Sequence, residues 1–220
     1  MTAKVGVVVF PGSNCEQDVI EAVETVGGSG RLLWHKDHCL GDVDAVVLPG
    51  GFAHGDYLRA GAMARFSPIM DSVADFARQG GPVVGICNGF QILAEAQLLP
   101  GALYKNRGLR FLCQSETLRV ESVNSVLTRG LSPGDELCIP INHFEGNYIC
   151  SEETLVALRD KGQIVLTYRD NPNGATADIA GICNENGNVV GLMPHPERAA
   201  HPLLGSTDGA LLLKVLLSDG

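Results

Sequence analysis

The tetrapeptide Gly-Ile-Cys-Asn occurs twice in this chain of 220 residues, and each copy carries a thiol that can serve as a nucleophile. The first copy, in VVGICNGFQILAEA, contains Cys87, and the second, in IAGICNENGNVVGL, contains Cys183. A thiolate attacks carbonyl carbons readily, so both cysteines are candidates for covalent catalysis. The residues that follow each cysteine distinguish the two.

Cys87 stands at a corner where a strand-like apolar run over 83–87 gives way to a helical pattern. Gly85, Cys87 and Gly89 have the spacing of a nucleophile elbow, in which glycines allow a tight turn. The helix N-terminus favours the thiolate, and the N–H of Asn88 points to where an oxyanion would form. Spacing alone also fits a buried cysteine that merely ends a strand.

Cys183 is followed by Asn-Glu-Asn-Gly, which is typical of a turn, and then by another strand pattern. No helix is predicted to begin there, so no set of free backbone N–H groups surrounds this sulfur. We therefore predict that Cys183 is a structural thiol beside a hairpin.

A base for Cys87 is offered by the segment LMPHPERA, where Pro196 separates His195 from Glu197. In an extended segment, residues two apart project to the same side. The carboxylate can then hold one imidazole nitrogen while the other faces a thiol, as in a catalytic triad. The alternative is a chance His and Glu on a solvated loop, which the flanking prolines and the preceding strand pattern make less favourable.

The elements that must position these residues alternate between strand and helix in the first half of the chain. Apolar runs predict strands, and amphipathic patterns predict helices between them. Ser13 and Glu16 have the spacing of a capping box at the first helix. The predicted strands cover 5–10, 32–34, 45–51 and 83–87, and a predicted helix covers 67–79. This alternation predicts a parallel sheet with right-handed crossovers and helices on both faces.

The second half has alternating stretches such as 116–123, and an Asn-Gly turn joins two short strand patterns after residue 178. These patterns predict antiparallel strands and a hairpin, and 207–217 reads as a closing helix. We predict one α/β domain over 1–220, with a central, mostly parallel sheet and added antiparallel strands.

Composition excludes several classes of function. The net charge is −9 with no basic run, so nucleic acid is not an expected partner. The apolar run near the N-terminus is too short for a signal peptide or a membrane span. Seven widely spaced cysteines without a C-x-x-C motif indicate reduced thiols of a cytoplasmic protein. The cluster HKDHC lacks a second half at ligand spacing, so we expect no metal.

The motif GICNGFQ, followed 108 positions after its cysteine by the histidine of PHPE, resembles the class I, or triad-type, glutamine amidotransferases. These proteins have a flavodoxin-like α/β fold. The stretches LPGGFAHGDYLRAGAMARFSPIM and NPNGATADIAGICNENGNVVGLMPHPERA resemble one branch of the family. That branch is the glutaminase subunits of phosphoribosylformylglycinamidine synthase, an enzyme of de novo purine synthesis. The resemblance extends from the first strand to the final helix.

The resemblance implies a role for each matching residue. Cys87 would attack the carboxamide of L-glutamine. His195 would protonate the leaving ammonia and later activate water, while Glu197 orients His195. The oxyanion would lie between the N–H groups of Asn88 and Gly51, where a side chain at Gly51 would crowd the site.

Two further positions match substrate-binding residues of the family. Gln91, one helical turn after the cysteine, corresponds to a residue that helps to hold glutamine. His143 matches within INHFEGNY, although Asn142 and Phe144 replace the usual Ala and Gly. We expect Phe144 to displace the chain from its usual path.

The resemblance also implies partners. Ammonia would pass to a synthetase subunit, with a small third subunit in the complex, through the face around Cys87. We expect His54, which stands where the family has Tyr, to be a loop residue near that face. The run GGSG is not a P-loop because no Lys-Ser or Lys-Thr follows it. We therefore expect no cofactor in this chain, and ATP and Mg²⁺ to be used by the synthetase subunit.

Two alternative functions also fit an elbow cysteine on this fold. Peptidase and glyoxalase-like relatives of the fold use a similar elbow cysteine, but the PHPE motif and Gln91 count against them. A catalytically silent binding subunit is the other alternative, and the intact set of Cys87, His195 and Glu197 counts against it.

Overall fold

The computed structural model describes residues 2–218. In this part of the chain the strands are β1 (Lys4–Val9), β2 (Ser29–Trp34), β3 (Ala45–Leu48), β4 (Val83–Ile86), β5 (Ala102–Tyr104), β6 (Leu112–Val120), β7 (Glu136–His143), β8 (Asn147–Ile149), β9 (Ile164–Tyr168), β10 (Ile179–Cys183) and β11 (Val189–Leu192). The α-helices are α1 (Glu16–Thr25), α2 (Ile69–Arg78), α3 (Asn88–Glu95), α4 (Glu152–Asp160) and α5 (Asp208–Leu217).

Nine of these strands form one sheet in the order β2-β1-β3-β4-β11-β10-β9-β6-β7, while β5 and β8 pair separately. The neighbours from β2 to β11 are parallel, and those from β11 to β7 are antiparallel. The predicted α/β fold, with a parallel sheet extended by antiparallel strands and a hairpin, is confirmed. The hairpin joins β10 to β11, as the Asn-Gly turn indicates.

Helices enclose the parallel part of the sheet because its strands carry apolar side chains throughout. β3 and β4 are buried at every position, which is typical of strands covered on both faces. The chain passes from β1 to β2 in one direction along the sheet and from β3 to β4 in the other. With right-handed crossovers, α1 and α2 therefore lie on opposite faces. The point where the direction reverses, between β1 and β3, is where such sheets bind ligands.

The start of α1 differs from the prediction. Its N-cap is Cys15, and no side chain caps the helix. The hydroxyl of Ser13 instead accepts the N–H of Phe10 at 3.1 Å, so it closes the turn after β1. The predicted capping box is wrong because this local turn uses the serine oxygen that the helix would have needed.

No helix within residues 2–218 combines the length and the apolar character needed to cross a lipid bilayer.

The packing of α3 on the sheet depends on two glycines. A Cβ atom on Gly89 would lie 1.9 Å from the carbonyl oxygen of Leu48, at the end of β3. A Cβ atom on Gly85 would lie 2.6 Å from the backbone of Gly89. The helix therefore approaches the strands more closely than any side chain at these positions allows.

We predict that Gly89→Ala lowers the free energy of unfolding by about 1–3 kcal/mol or more, because the added methyl overlaps backbone atoms that cannot move aside. Urea titration followed by circular dichroism measures the change. Gly108→Ala is the matched control, since a Cβ there meets nothing within 4 Å. Equal stability of the two variants would show that α3 does not need this close approach.

Candidate active site

The site lies at the carboxyl ends of four adjacent strands. Cys15 begins the helix after β1, and Gly51 follows β3. Cys87 directly follows β4, and His195 comes three residues after β11. These four residues line one cavity of about 440 Å³. The sheet order thus brings residues from distant parts of the sequence to one edge.

Cys87 occupies a strained corner. Its backbone has φ 51° and ψ −104°, a conformation that residues with side chains rarely adopt. Its N–H donates to the carbonyl of Leu192 at 2.8 Å, and its carbonyl accepts from Gln91 at 3.2 Å. These bonds fix the corner, and the sulfur lies 3.7 Å from the carbonyl oxygen of Asn142 at the cavity wall. The predicted elbow is present.

His195 and Glu197 form a buried pair. Nδ1 of His195 lies 2.6 Å from Oε1 of Glu197, and both side chains are almost wholly removed from solvent. The predicted extended geometry is wrong, because Pro196–Ala199 is a short 3-10 helix. The carboxylate reaches back across this turn to the ring. The N–H of His195 donates to the carbonyl of Pro140 at 2.8 Å, which ties the turn to β7.

The N-terminus of α5 supports this turn from the other side. A Cβ atom on Gly209 would lie 2.1 Å from the carbonyl oxygen of Pro196, so the helix and the turn are in direct backbone contact. Asp208 accepts the N–H of Cys138 at 2.7 Å, which also ties α5 to β7. The position of the His195 ring therefore depends on the last helix of the chain.

The charge of His195 reflects two opposing effects. Burial lowers the pKa of His195, but the carboxylate of Glu197, together with the thiols of Cys87 and Cys15, raises it well above its ordinary value. The pair therefore favours an imidazolium over a neutral ring. The second ring nitrogen, Nε2, is buried and has no hydrogen-bond partner among residues 2–218.

Two backbone N–H groups at the cavity, those of Asn88 and Gly51, have no hydrogen-bond acceptor within residues 2–218. Asn88 is the first residue of α3, so its N–H has no partner within the helix. Gly51 pairs with Ser13 in an isolated antiparallel bridge, whose hydrogen bonds come from the neighbouring Phe52 and Asn14. The N–H of Gly51 therefore lies outside the ladder.

Glycine is needed at position 51 for a reason other than the one expected from the sequence. Gly51 has φ 140°, and a Cβ there would meet the backbone N of Asn14 at 2.6 Å. The steric conflict is with the loop after β1 and not with the oxyanion site. Glycine is required to bring the two loops together.

The side chain of Asn88 connects three parts of the cavity wall. Its Oδ1 accepts the N–H of Ala53 at 3.0 Å, and its Nδ2 donates to Gln91 at 2.8 Å and to Asp56 at 3.2 Å. Gln91 in turn donates to the carbonyl of Glu145 at 2.6 Å. The amide of Gln91 is thus engaged within the protein, and this residue shapes the cavity by holding the 143–146 turn.

His143 is buried at the end of β7 and also lines the cavity. Its Nδ1 lies 3.1 Å from Oδ1 of Asn106, an oxygen that also accepts the N–H of Gly146. Nδ1 therefore carries the proton, and Nε2 is an acceptor without a partner among the described residues. Burial, reinforced by His195, lowers the pKa of His143 to about 4, so the ring is neutral at pH 7.

The structure adds residues that sequence reasoning missed. Cys15 is a buried thiol whose sulfur accepts from Nη2 of Arg198 at 3.1 Å. The thiol, the His195 ring and the Glu197 carboxylate place ligand atoms within 4.8 Å of one another, as a metal site would. The hydrogen bond between His195 and Glu197 already uses one atom of each. The sequence signal for Cys15 was its place between the first predicted strand and the first predicted helix.

The loop after β3 contributes Asp56, which was also missed, and His54. Desolvation raises the pKa of Asp56 to about 6, with the Glu145 carboxylate adding to the effect and Asn88 opposing it. His54 is half-buried, and its ring meets that of His35 edge-on at 5.3 Å. Its ring therefore packs the loop after β3 against the residue that directly follows β2.

Cys183 lies in β10 with 1% of its surface exposed, and burial raises the pKa of its thiol to about 11. The protonated thiol is a poor nucleophile. Its sulfur lies 3.9 Å from the carbonyl of Asn124, and neither residue is among those that line the cavity.

The fold and the family comparison together define a glutamine amidotransferase. Residues 2–208 match the model of the CobB/CobQ-like glutamine amidotransferase domain. The chain is 56% identical over 215 residues to the phosphoribosylformylglycinamidine synthase subunit PurQ of Rubrobacter xylanophilus, covering 98% of each chain. It is 52% identical to the same subunit of Trichormus variabilis, covering 97% of this chain and 96% of that one.

A solved structure supports the same family assignment. A chain of the structure of PurLQS from Thermotoga maritima superposes with a TM-score of 0.92 at 40% identity, covering 99% of this chain and 98% of that one. The present chain belongs to the family of phosphoribosylformylglycinamidine synthase subunit PurQ, the glutaminase subunits of that synthase.

We predict that Glu197→Gln lowers the pKa of His195, because burial remains while the opposing carboxylate charge is lost. In the wild-type protein the raised pKa stabilises the folded state fully below the ordinary histidine pKa of about 6.5, and this stabilisation is lost as pH rises through the folded value. NMR titration of His195 and urea unfolding between pH 6 and 9 measure both effects.

The Glu197→Gln variant should lose this pH dependence of the free energy of unfolding, whereas Glu185→Gln, an exposed control, should keep it. An unchanged His195 titration in Glu197→Gln would contradict the assignment.

Proposed function

We propose that this chain hydrolyses L-glutamine to glutamate and ammonia through a thioester on Cys87. The ammonia passes to an ATP-dependent synthetase subunit that makes formylglycinamidine ribonucleotide. The observation that carries the chemical part is the shared cavity, in which a strained elbow cysteine meets a histidine backed by a buried carboxylate. The family comparison supports the choice of substrate and pathway.

In the first half-reaction the sulfur of Cys87 attacks the carboxamide carbon of glutamine. The raised pKa of His195 keeps the imidazolium available, and an imidazolium stabilises a neighbouring thiolate. The negative charge that develops on the carboxamide oxygen is bound by the N–H groups of Asn88 and Gly51. His195 then donates its proton to the leaving nitrogen, and ammonia departs.

In the second half-reaction the neutral His195 takes a proton from water, and the resulting hydroxide attacks the thioester. The same two N–H groups bind the second oxyanion, glutamate leaves, and the proton returns to the Cys87–His195 pair. Glu197 holds the tautomer and orientation of His195 throughout. No step requires a metal or a cofactor in this chain, and we assign ATP and Mg²⁺ to the synthetase subunit.

The face around the cavity is suited to a partner. Phe52, Tyr57 and Leu58 are exposed apolar residues in the loop that follows β3, and Phe52 and the neighbouring Asp56 of this loop line the cavity. Contiguous exposed apolar residues commonly mark protein interfaces. We assign this face to the synthetase subunit, and we place a small third subunit in the same assembly.

The reducing cytoplasm is the compartment that fits the chain. All seven cysteines are free thiols, including the buried Cys15 and Cys87 of the cavity. Disulfides form readily in exported proteins, and a thiolate mechanism needs a reduced cysteine.

We predict that Cys87→Ala abolishes glutamine-dependent synthesis in the assembled synthetase, while synthesis from added ammonium continues. The sulfur is required to form the thioester, but ammonium bypasses that step. Steady-state assays with each nitrogen source measure the two rates. Retention of glutamine-dependent turnover would exclude the proposed mechanism.

The matched control is Cys183→Ala, which removes the other thiol of the repeated tetrapeptide. We expect both nitrogen sources to be used at nearly the wild-type rate, with a loss of about 0.5–3 kcal/mol in stability from the cavity left behind. A glutamine-analogue electrophile should label Cys87 and leave Cys183 unmodified, as peptide mass spectrometry can establish.

A further inference from the structure

The wall of the catalytic cavity carries two carboxylates that the mechanism does not use. Asp56, in the loop after β3, and Glu145, in the turn after β7, both line the cavity with Cys87. They come from segments 89 positions apart in the sequence. The parallel sheet brings their loops to the same edge, so the pairing is a product of the fold.

These carboxylates lack cationic partners. No Lys, Arg or His among residues 2–218 forms an ion pair with Asp56 or Glu145. The hydrogen bond to Asp56 comes from a neutral amide, that of Asn88. Arg198 also lines the cavity, but its guanidinium is held by Asp18 and Cys15.

Burial makes this arrangement costly without a ligand. Desolvation, and then repulsion from Glu145, raises the pKa of Asp56 to about 6. Two partly buried carboxylates that repel each other are stabilised by a cation placed between them. The wall is therefore most favourable when a positive group occupies the cavity.

His143 gives independent evidence of a donor-bearing ligand. It is 3% exposed, lines the same cavity, and its Nε2 has no partner among the described residues. Because Asn106 fixes the proton on Nδ1, Nε2 can only accept a hydrogen bond. The carboxylates of Asp56 and Glu145 and Nε2 of His143 are thus three acceptor groups at the same cavity. Such a wall favours a ligand rich in N–H donors.

We propose that Asp56 and Glu145 together bind the α-ammonium group of the substrate, and so select an α-amino amide over an amide without that group. This inference rests on the proposed glutaminase function, because the carboxamide must reach Cys87 while the ammonium reaches the two carboxylates. Glutamine carries one carboxamide and one ammonium at opposite ends, which matches a cavity with the thiol on one side and carboxylates on another.

Asp56 also positions Asn88, and the test must separate this role from recognition of the ammonium group. Its Oδ1 accepts from the side chain of Asn88, the residue whose backbone N–H binds the oxyanion. Loss of the Asp56 charge could then slow every substrate by displacing Asn88. A purely structural role would affect all amides equally, whereas ammonium recognition affects only substrates that carry the ammonium.

The experiment compares L-glutamine with glutaramate, which has the same carboxamide and carboxylate but no α-amino group. Wild-type, Asp56→Asn and Glu145→Gln proteins are assayed for ammonia release in the assembled synthetase. We expect KM for glutamine to rise about 10- to 100-fold in each variant, with kcat little changed, since a charge-assisted hydrogen bond is lost. kcat/KM for glutaramate should stay within about twofold of wild type. Glu153→Gln, an exposed control, should change neither substrate.

The outcomes are distinct. Equal losses for glutamine and glutaramate in both variants would overturn the inference and leave Asp56 as a residue that only positions Asn88. Unchanged KM for glutamine in both variants would also overturn it. Failure of the wild-type protein to release ammonia from glutamine would instead refute the proposed function itself.

Discussion

The close approach of α3 to β3 forces the chain to turn within a single residue at Cys87. Because Gly89 lies against the carbonyl of Leu48, the helix must start immediately after β4, and Cys87 takes up a positive φ to allow it. This turn raises the sulfur above the sheet edge and directs the first N–H groups of α3 to the same place. The strain is held by hydrogen bonds on both sides of the residue, so the nucleophile is positioned before any substrate arrives.

The His195–Glu197 pair is the second constraint, and it is met by packing. A buried ionised pair is strongly destabilising unless its geometry is held closely, and here Nε2 of His195 and Oε2 of Glu197 have no hydrogen-bond partner among residues 2–218. The 3-10 turn brings the carboxylate to Nδ1, β7 fixes the backbone of His195, and α5 contacts Pro196 directly. The antiparallel strands and the last helix carry no reacting group. Through these contacts they position the imidazole of His195 in the cavity that also contains the thiol of Cys87.

The sequence predicted most of the parallel sheet because strands that are buried on both faces have continuous apolar sequences, as in β1 and β4. It also predicted the hairpin of β10 and β11 from its Asn-Gly turn. The predictions from sequence were wrong where a side chain or a short segment could adopt either of two local arrangements. Ser13 closes the turn after β1 and does not cap α1, and the chain curls at Pro196 where an extended path was expected. Periodicity and spacing carry no information on which of these local options the surrounding structure selects.

The two copies of Gly-Ile-Cys-Asn separate what the sequence determined from what the tertiary structure decided. The residues after each cysteine determined that Cys87 begins a helix and that Cys183 begins a hairpin, because turn and helix signals act over a few residues. The order of the strands decided which distant groups reach Cys87. Only the folded sheet brings Cys15, Asp56 and Glu145 to the same cavity, since their positions relative to the sulfur depend on crossovers and packing that no local pattern encodes.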